Sequence, residues 1–282
     1  MDNIKKIIYY WGLKLFPKYL MKHLYKINTG LFLDYNNIRT YNEKLQIIKL
    51  NSVKLHLDYF ADKYKIREYI VAHNLERILP KLYGVYNNFN EINFNQLPNK
   101  FVLKLTHGWS YNVIVVNKDN INLNVLKKQI NEWKKSKFGY FTGELHYLKI
   151  KPKIICEEYL EDSNGELKDY KILCFNGEPQ IIQVDSNRFF EHRRDFFDTT
   201  WKSVDIQYGY EKNETIIPPP LNLSEMLKIA KKLSEGFAHV RVDLYSVNGK
   251  TYFGELTFTP TGGYKEFEPI EYNLELGKLI KL

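Results

Sequence analysis

Residues 240–257, Val-Arg-Val-Asp-Leu-Tyr-Ser-Val-Asn-Gly-Lys-Thr-Tyr-Phe-Gly-Glu-Leu-Thr, alternate apolar and polar side chains on both sides of an Asn-Gly pair. Period-two alternation around such a pair specifies a β-hairpin, and so an antiparallel sheet in the C-terminal part of the chain. A three-residue turn over residues 247–249, with Gly249 in the left-handed region, is the expected connection. That register sets Arg241 opposite Glu255 and puts Asp243 and Thr257 on the same face. Val242, Leu244, Leu256 and Phe258 then point the other way. A two-residue turn would send the two acids to opposite faces, because a slip of one residue inverts every side chain. Two carboxylates, a guanidinium and a hydroxyl on one face suit a hard divalent cation with phosphate oxygens. The structural alternative is a surface hairpin whose charges pair across the strands.

The chain has 282 residues, 44% of them hydrophobic, enough for one large domain or two to three closely packed lobes. Its 22 Tyr and 17 Phe argue against disorder. Cys156 and Cys174 both fall in apolar, strand-like runs and read as small core residues in a reducing compartment. Residues 1–26 carry six lysines (Lys5, Lys6, Lys14, Lys18, Lys22 and Lys26) against Asp2, and so hold most of the formal charge of +8. The weakly basic remainder, without a reader motif, argues against a nucleic-acid partner. Among those lysines lie Ile4, Ile7, Ile8, Trp11, Leu15, Phe16, Leu20 and Leu24. This segment is too interrupted to span a bilayer and lacks a signal-peptide cleavage site. It reads as two amphipathic helices broken near Pro17. They either lie on an anionic membrane surface or pack on their own domain with a solvated basic face.

Helices are expected over residues 42–58 and 61–75, the second opening at Asp62 and carrying Lys63. Strands are expected over 81–86, 101–105 and 113–116, then a helix over 123–135 and a strand over 153–160. The tract 162–165 reads as a turn. Residues 169–175 and 179–185 form a hairpin around Asn176-Gly177, and a helix over 224–234 leads into the C-terminal hairpin. Adjacent antiparallel hairpins with interspersed helices are α+β in character, not a doubly wound parallel sheet.

The order of the pieces then matters. Lys63 is followed by a strand ending in Lys104, and by the turn His107-Gly-Trp-Ser-Tyr-Asn112. Next come Glu157-Glu-Tyr-Leu160, Asp169-Tyr-Lys171, Arg241-Val-Asp243 and Glu255-Leu-Thr257. From about residue 40 to the end this order resembles the TupA-like branch of the ATP-grasp superfamily, associated with bacterial surface-polysaccharide loci. The resemblance implies an ATP-grasp fold of two α+β lobes clamping a nucleotide. It implies a basic helical extension (1–40), a helical region (41–100), a small lobe (101–158) and a large lobe (159–282). Lys63 and Lys104 would contact phosphates. His107, Gly108, Ser110 and Asn112 would belong to a flap presenting backbone N–H groups. Glu157, Glu158, Tyr159 and Leu160 would form the adenine hinge. Asp169 would take the ribose and Lys171 a further phosphate. Asp243, Glu255 and Thr257 would hold Mg²⁺, and Arg241 would stabilise the transferring phosphoryl group. The chain departs from the family pattern where Trp109 and Tyr111 interrupt a glycine-rich flap, and where Thr257 stands for the usual asparagine.

Between these pieces, residues 188–198 gather Arg188, His192, Arg193 and Arg194, and Arg188 and Arg194 are candidates for binding an acidic acceptor. The resemblance implies a cytoplasmic, ATP- and Mg²⁺-dependent carboxylate–amine ligase that joins an acidic sugar or sugar nucleotide to a small amine. A glycan kinase, or a glycosyltransferase or scaffold of a polysaccharide assembly complex, are the alternatives.

Overall fold

The computed structural model describes residues 3–137, 139–163, 167–188 and 190–282, and for residues 3–6 the backbone alone. Asn164 and Gly165 of the expected turn lie outside the described residues, as do Met1, Asp2 and Phe189. Along the chain run α1 (Asn3–Leu15), α2 (Pro17–Thr29), α3 (Tyr41–Asn51), α4 (Leu57–Ala61) and α5 (Ile66–Ala72). Next come β1 (Leu82–Tyr86), β2 (Phe101–Leu105), β3 (Asn112–Val115), α6 (Leu123–Lys135), α7 (Gly139–Thr142), α8 (Leu145–Lys149) and β4 (Ile154–Glu158). The remainder is β5 (Asp169–Phe175), β6 (Glu178–Ser186), β7 (Arg193–Asp198), α9 (Leu223–Ser234), β8 (His239–Val247), β9 (Lys250–Thr257) and α10 (Glu271–Leu279).

The two sheets are antiparallel throughout their named pairs. The smaller has the order β1-β4-β2-β3 and the larger β7-β6-β5-β8-β9. A core of Phe101, Leu103, Ile154 and Cys156 with Leu126 and Ile130 of α6 holds the small lobe. In the large lobe Ile172, Val184, Val242 and Leu256 pack with Met226, Ile229 and Leu233 of α9. Helices α3 and α5 join that second core through Tyr41, Leu45, Ile66 and Ile70, and the Tyr41 hydroxyl meets His239 Nε2 at 2.9 Å.

Two expected helices are shorter than the sequence suggested. The helix expected over 42–58 starts under a capping box of Thr40 and Glu43 but stops at Asn51. Asn51 and Ser52 turn their side chains back to the carbonyls of Ile47 and Lys49, the competition that makes such residues poor in helix interiors. Helix α4 resumes only after His56, which is left-handed. The helix expected to open at Asp62 begins instead at Ile66, because the Asp62 carboxylate accepts from the N–H groups of Tyr64 and Lys65 and holds a turn. Lys63 therefore sits on a loop, its N–H donating to Thr106 O at 3.2 Å.

The C-terminal hairpin corrects the expected turn. Asn248 and Gly249 both have positive φ (50° and 77°), and Val247 pairs with Lys250, so the turn has two residues. That register alone would place residue 254 opposite Asp243. Between Leu244 and Asp243 the pairing slips: Leu244 faces Phe253, but Asp243 faces Glu255, with Gly254 the extra residue. A β-bulge thus brings the acids to one face despite the short turn. Arg241 ends up opposite Thr257 instead of Glu255. A side chain at position 254 would begin 3.0 Å from the Asp243 carbonyl oxygen and 3.2 Å from the Tyr245 ring.

The N-terminal helices combine features of both readings. Leu13, Leu20, Met21 and Leu24 are buried in a small third core, against Tyr140, Leu145 and Leu148. Ile7, Ile8, Trp11, Leu15, Phe16 and Tyr19 remain exposed. No helix among the described residues is long and apolar enough to cross a membrane.

Candidate active site

The face of the large sheet turned away from α9 is charged because its strands align acids with bases. Gln183, Lys171, Asp243 and Glu255 stand in one row across β6, β5, β8 and β9. The neighbouring row holds Arg194, Asp185, Asp169 and Tyr245. Over this face lies a cleft of about 530 Å³, roofed by Lys104 of β2 and by the loop from Trp109 to Asn112. Its wall adds Lys63, Arg188, Tyr210, Thr142, Glu144 and Tyr147, with Thr259, Thr261 and Gly262 beyond the end of β9.

Within the cleft, Arg241 grips Asp243 through Nε and Nη2 at 2.7 and 2.6 Å, and Nη2 also donates to Thr257 Oγ1 at 3.1 Å. Thr257 Oγ1 donates in turn to Glu255 Oε1 at 3.1 Å, and Lys63 Nζ stands 3.4 Å from Glu255 Oε2. The two acids titrate in opposite directions. Burial dominates at Asp243 and pushes it up to about 6 although Arg241 pulls the other way. Burial also acts on Glu255, but Lys63 and Arg241 outweigh it and bring the carboxyl down to about 2. Two carboxylates and a hydroxyl are hard oxygen donors on one face, and they fit Mg²⁺ if phosphate oxygens and water complete its shell. Asp243 must then free an oxygen from Arg241.

At the other end of the face, Lys171 Nζ donates to Asp169 Oδ2 at 2.8 Å and to Asp185 Oδ2 at 2.5 Å. Asp185 also accepts from Arg194 Nε at 2.6 Å and Nη2 at 3.1 Å, while Arg194 Nη1 donates to Tyr208 O at 2.7 Å. Burial raises the Asp185 carboxyl, but Arg194 and Lys171 together hold it far below the usual carboxylate range. Arg194 therefore lines the cleft with Nε and Nη2 committed to Asp185 and Nη1 to the Tyr208 carbonyl. Arg188, more exposed, pairs with Asp169, so the expected ribose ligand is already shared between two cations.

In the upper wall the expected phosphate and hinge residues are tied to the small sheet. Lys104 Nζ lies 2.8 Å from Glu157 Oε2, and Arg67 Nη1 meets the other oxygen at 2.9 Å. The backbone of Glu157 is in the ladder between Leu82 and Val102, and Glu158 faces Phe101 with its N–H on Lys81 O. Of the expected hinge, only Tyr159 and Leu160 follow the strand end, and none of the four residues lines the cleft. The loop expected to act as the flap turns through two left-handed residues. Gly108 and Ser110 have positive φ (74° and 61°), and Lys63 Nζ holds the Gly108 carbonyl at 2.7 Å. A Cβ at Gly108 would meet the Tyr111 ring at 2.9 Å. The Tyr111 ring stacks on Trp133 and its hydroxyl donates to Ser136 Oγ at 2.6 Å. His107 is buried beside Tyr111 outside the cleft lining, and burial lowers it to about 4, leaving it neutral near pH 7.

Sequence reasoning missed the far wall. Lys49, buried in α3, donates to Thr142 O at 2.8 Å and to Gly262 O at 2.5 Å. Beside it, Thr259 Oγ1 donates to Glu144 Oε1 at 2.5 Å, and Gln46 Nε2 binds Gly263 O at 2.8 Å. Burial pushes the Lys49 ammonium down and the Glu144 carboxyl up, each partly restored by the other. The clamped loop has three successive left-handed residues, Thr261, Gly262 and Gly263. Its signal in the sequence was Thr259-Pro-Thr-Gly-Gly263, directly after the metal-type hairpin.

The fold is similar to that of solved structures. An L-amino acid ligase from Bacillus licheniformis superposes with a TM-score of 0.52 at 12% identity, over 95% of this chain and 61% of that one. A D-alanine–D-alanine ligase from Bacillus anthracis, complexed with ATP, gives 0.44 at 16% identity over 72% and 55%. The Helicobacter pylori D-alanine–D-alanine ligase gives 0.44 at 15% identity over 78% and 58%. The chain thus spans rather more than half the length of these proteins. No curated protein matches it. The family model described as TupA-like ATPgrasp matches residues 43–281, which take in both sheets and the whole cleft. With its two antiparallel sheets and α+β architecture, the chain belongs to the TupA-like ATP-grasp family.

Proposed function

We propose that this chain is an ATP- and Mg²⁺-dependent ligase joining a carboxylate to an amine, acting in the cytoplasm in the synthesis of a bacterial surface polysaccharide. The observation that carries the reading is the juxtaposition of Arg241, Asp243, Glu255 and Thr257 below Lys63 and Lys104 in one cleft. In this chemistry a substrate carboxylate oxygen bonds to the terminal phosphorus of ATP as the bond to ADP breaks. The amine nitrogen then attacks the resulting acylphosphate carbon, phosphate leaves, the nitrogen loses a proton and an amide remains. Asp243, Glu255 and Thr257 are the residues that would hold Mg²⁺, which neutralises phosphate charge when bound. Lys63, bonded to the Gly108 carbonyl and beside Glu255, would contact the phosphates. Arg241 supplies fixed positive charge where phosphoryl charge develops. Its pairing with Asp243 and Thr257 holds that charge in place before substrate arrives.

The acceptor end is basic and aromatic. Arg188 is exposed there, and Tyr210 stacks on His192 and lies 4.6 Å from the Arg194 guanidinium. This chemistry suits an acidic sugar or sugar nucleotide as the carboxylate donor, with a small amine as the second substrate. ATP, Mg²⁺, a panel of uronates and sugar nucleotides, and a panel of amines test the proposal. Release of ADP and phosphate that requires both an acid and an amine, with an amide in the product, is expected. Stable phosphate on a sugar hydroxyl would instead make the chain a kinase.

A further inference from the structure

We propose that α1 and α2 form a docking face for the surface of an anionic phospholipid bilayer. Helix α1 is apolar on two sides. On α1, Leu13 is buried and Gly12 lies against Leu20, while Ile7, Ile8, Trp11 and Leu15 form a separate stripe of about 100° on the opposite side. Each residue of that stripe is about half exposed or more, Trp11 at 48% and Leu15 at 58%. Helix α2 repeats the pattern. Leu20, Met21, Leu24 and Tyr25 are buried, whereas Phe16, Tyr19 and Ile27 face outward, Tyr19 with 76% exposure. The loop beyond α2 adds Phe32, also 76% exposed. A single packed face is all that a helix needs for its own fold, so the second apolar face is unaccounted for by the core.

Charge selects the occupant. Lys18, Lys22 and Lys26 repeat at four-residue spacing and form a basic stripe on α2 beside Tyr19. Lys14 stands 5.2 Å over the Trp11 ring and Lys26 4.3 Å over the Phe32 ring. Among the described residues none of these four lysines forms a salt bridge, and no Asp or Glu occurs between Asp2 and Asp34. Aromatic and aliphatic side chains flanked by a row of lysines match the boundary between lipid headgroups and acyl chains. A second copy fits poorly, since a two-fold contact would set one basic stripe against another. With no helix of spanning length among the described residues, the contact proposed for α1 and α2 is one that lies on the bilayer.

The face is rigidly joined to the catalytic lobes. Met21 packs on Gly143, where a Cβ would lie 2.4 Å from its sulfur, and the Tyr9 and Tyr10 rings meet Phe141 and Tyr140. Thr142 at the end of α7 and Glu144, on either side of Gly143, wall the cleft. A bilayer bound here is therefore coupled to that wall, in contrast to a flexible tail that would leave it free.

Co-sedimentation of the whole protein with vesicles tests the proposal, comparing phosphatidylcholine alone with phosphatidylcholine containing phosphatidylglycerol. Binding is expected only to the anionic vesicles, and to weaken as salt is added. Replacing Lys14, Lys18, Lys22 and Lys26 by Gln should lower partitioning at least about 100-fold, from the typical contribution of each basic residue near an anionic surface. Trp11→Asp with Phe16→Asp should abolish it. Both variants alter exposed side chains and should keep the parent's thermal unfolding and its nucleotide binding. Equal binding to both vesicle types, no binding to either, or undiminished binding by the Lys→Gln variant would each overturn the proposal. So would a dimer in light scattering that dissociates on Trp11→Asp while vesicle binding is absent.

Discussion

Asp243 and Glu255 face each other across one strand pair, yet their different neighbours give them different acidities. Asp243 is closed in and raised to about 6; Glu255 is lowered to about 2 beside Lys63 and Arg241. A cation needs both as carboxylates. Mg²⁺ affinity in the presence of a non-hydrolysable ATP analogue should therefore fall as pH drops through about 6, because Asp243 takes up a proton there and Glu255 does not. Calorimetry across pH 5–8 reads this directly, and proton release on Mg²⁺ binding should grow toward the acid end. Asp243→Asn and Glu255→Gln should each reduce Mg²⁺-dependent turnover by more than the roughly 10–100-fold typical of losing an outer-shell partner. Both should keep the far-ultraviolet circular dichroism of the parent. The identities of these residues were legible in the sequence, since alternation and hairpin signals select them. The partners of Lys104 and Arg194 were not, because Glu157 and Asp185 reach them from strands whose adjacency no local pattern encodes.

The bulge at Gly254 shows how a correct face assignment arose from an incorrect turn. Alternation alone fixed which residues share a side on each arm, but a two-residue turn and one extra residue give the same parity as a three-residue turn. The two devices differ in what they predict. Deleting Gly254 should remove the slip yet leave Glu255 and Thr257 on the charged face, opposite Asp243 and Arg241, and should lower turnover only through the lost local twist of the bulge, as a steady-state assay of ADP release would show. Gly249→Ala, at the turn with φ of 77°, should cost about 1 kcal/mol in urea unfolding while leaving the active-site parity and turnover intact. Elements with strong periodicity, such as α6 and β2, lie where the sequence places them. The helices near Asn51 and Asp62 break early because short polar side chains capture backbone groups, a local contest that apolar periodicity does not register.

Three cores meet around a cleft whose far wall depends on one buried lysine from α3. Lys49→Ala would leave Glu144 without its cation and free the carbonyls of Thr142 and Gly262. A loss of about 1–3 kcal/mol or more in chemical denaturation is expected, from the buried carbonyls left without their donor. Lys49→Met combined with Glu144→Gln should cost less, since neither charge then remains alone. This arrangement was hidden from sequence reasoning because Lys49, Glu144 and Gly262 are far apart along the chain. The lobe order was visible because its motifs recur in family order. Across the cleft, Lys104 is held by Glu157, Lys63 by Glu255, Arg241 by Asp243, and Lys171 by Asp169 and Asp185. An arriving polyphosphate must therefore trade places with resident carboxylates, displacing few mobile counterions. Nucleotide affinity should accordingly vary with ionic strength much less steeply than a tally of basic side chains implies.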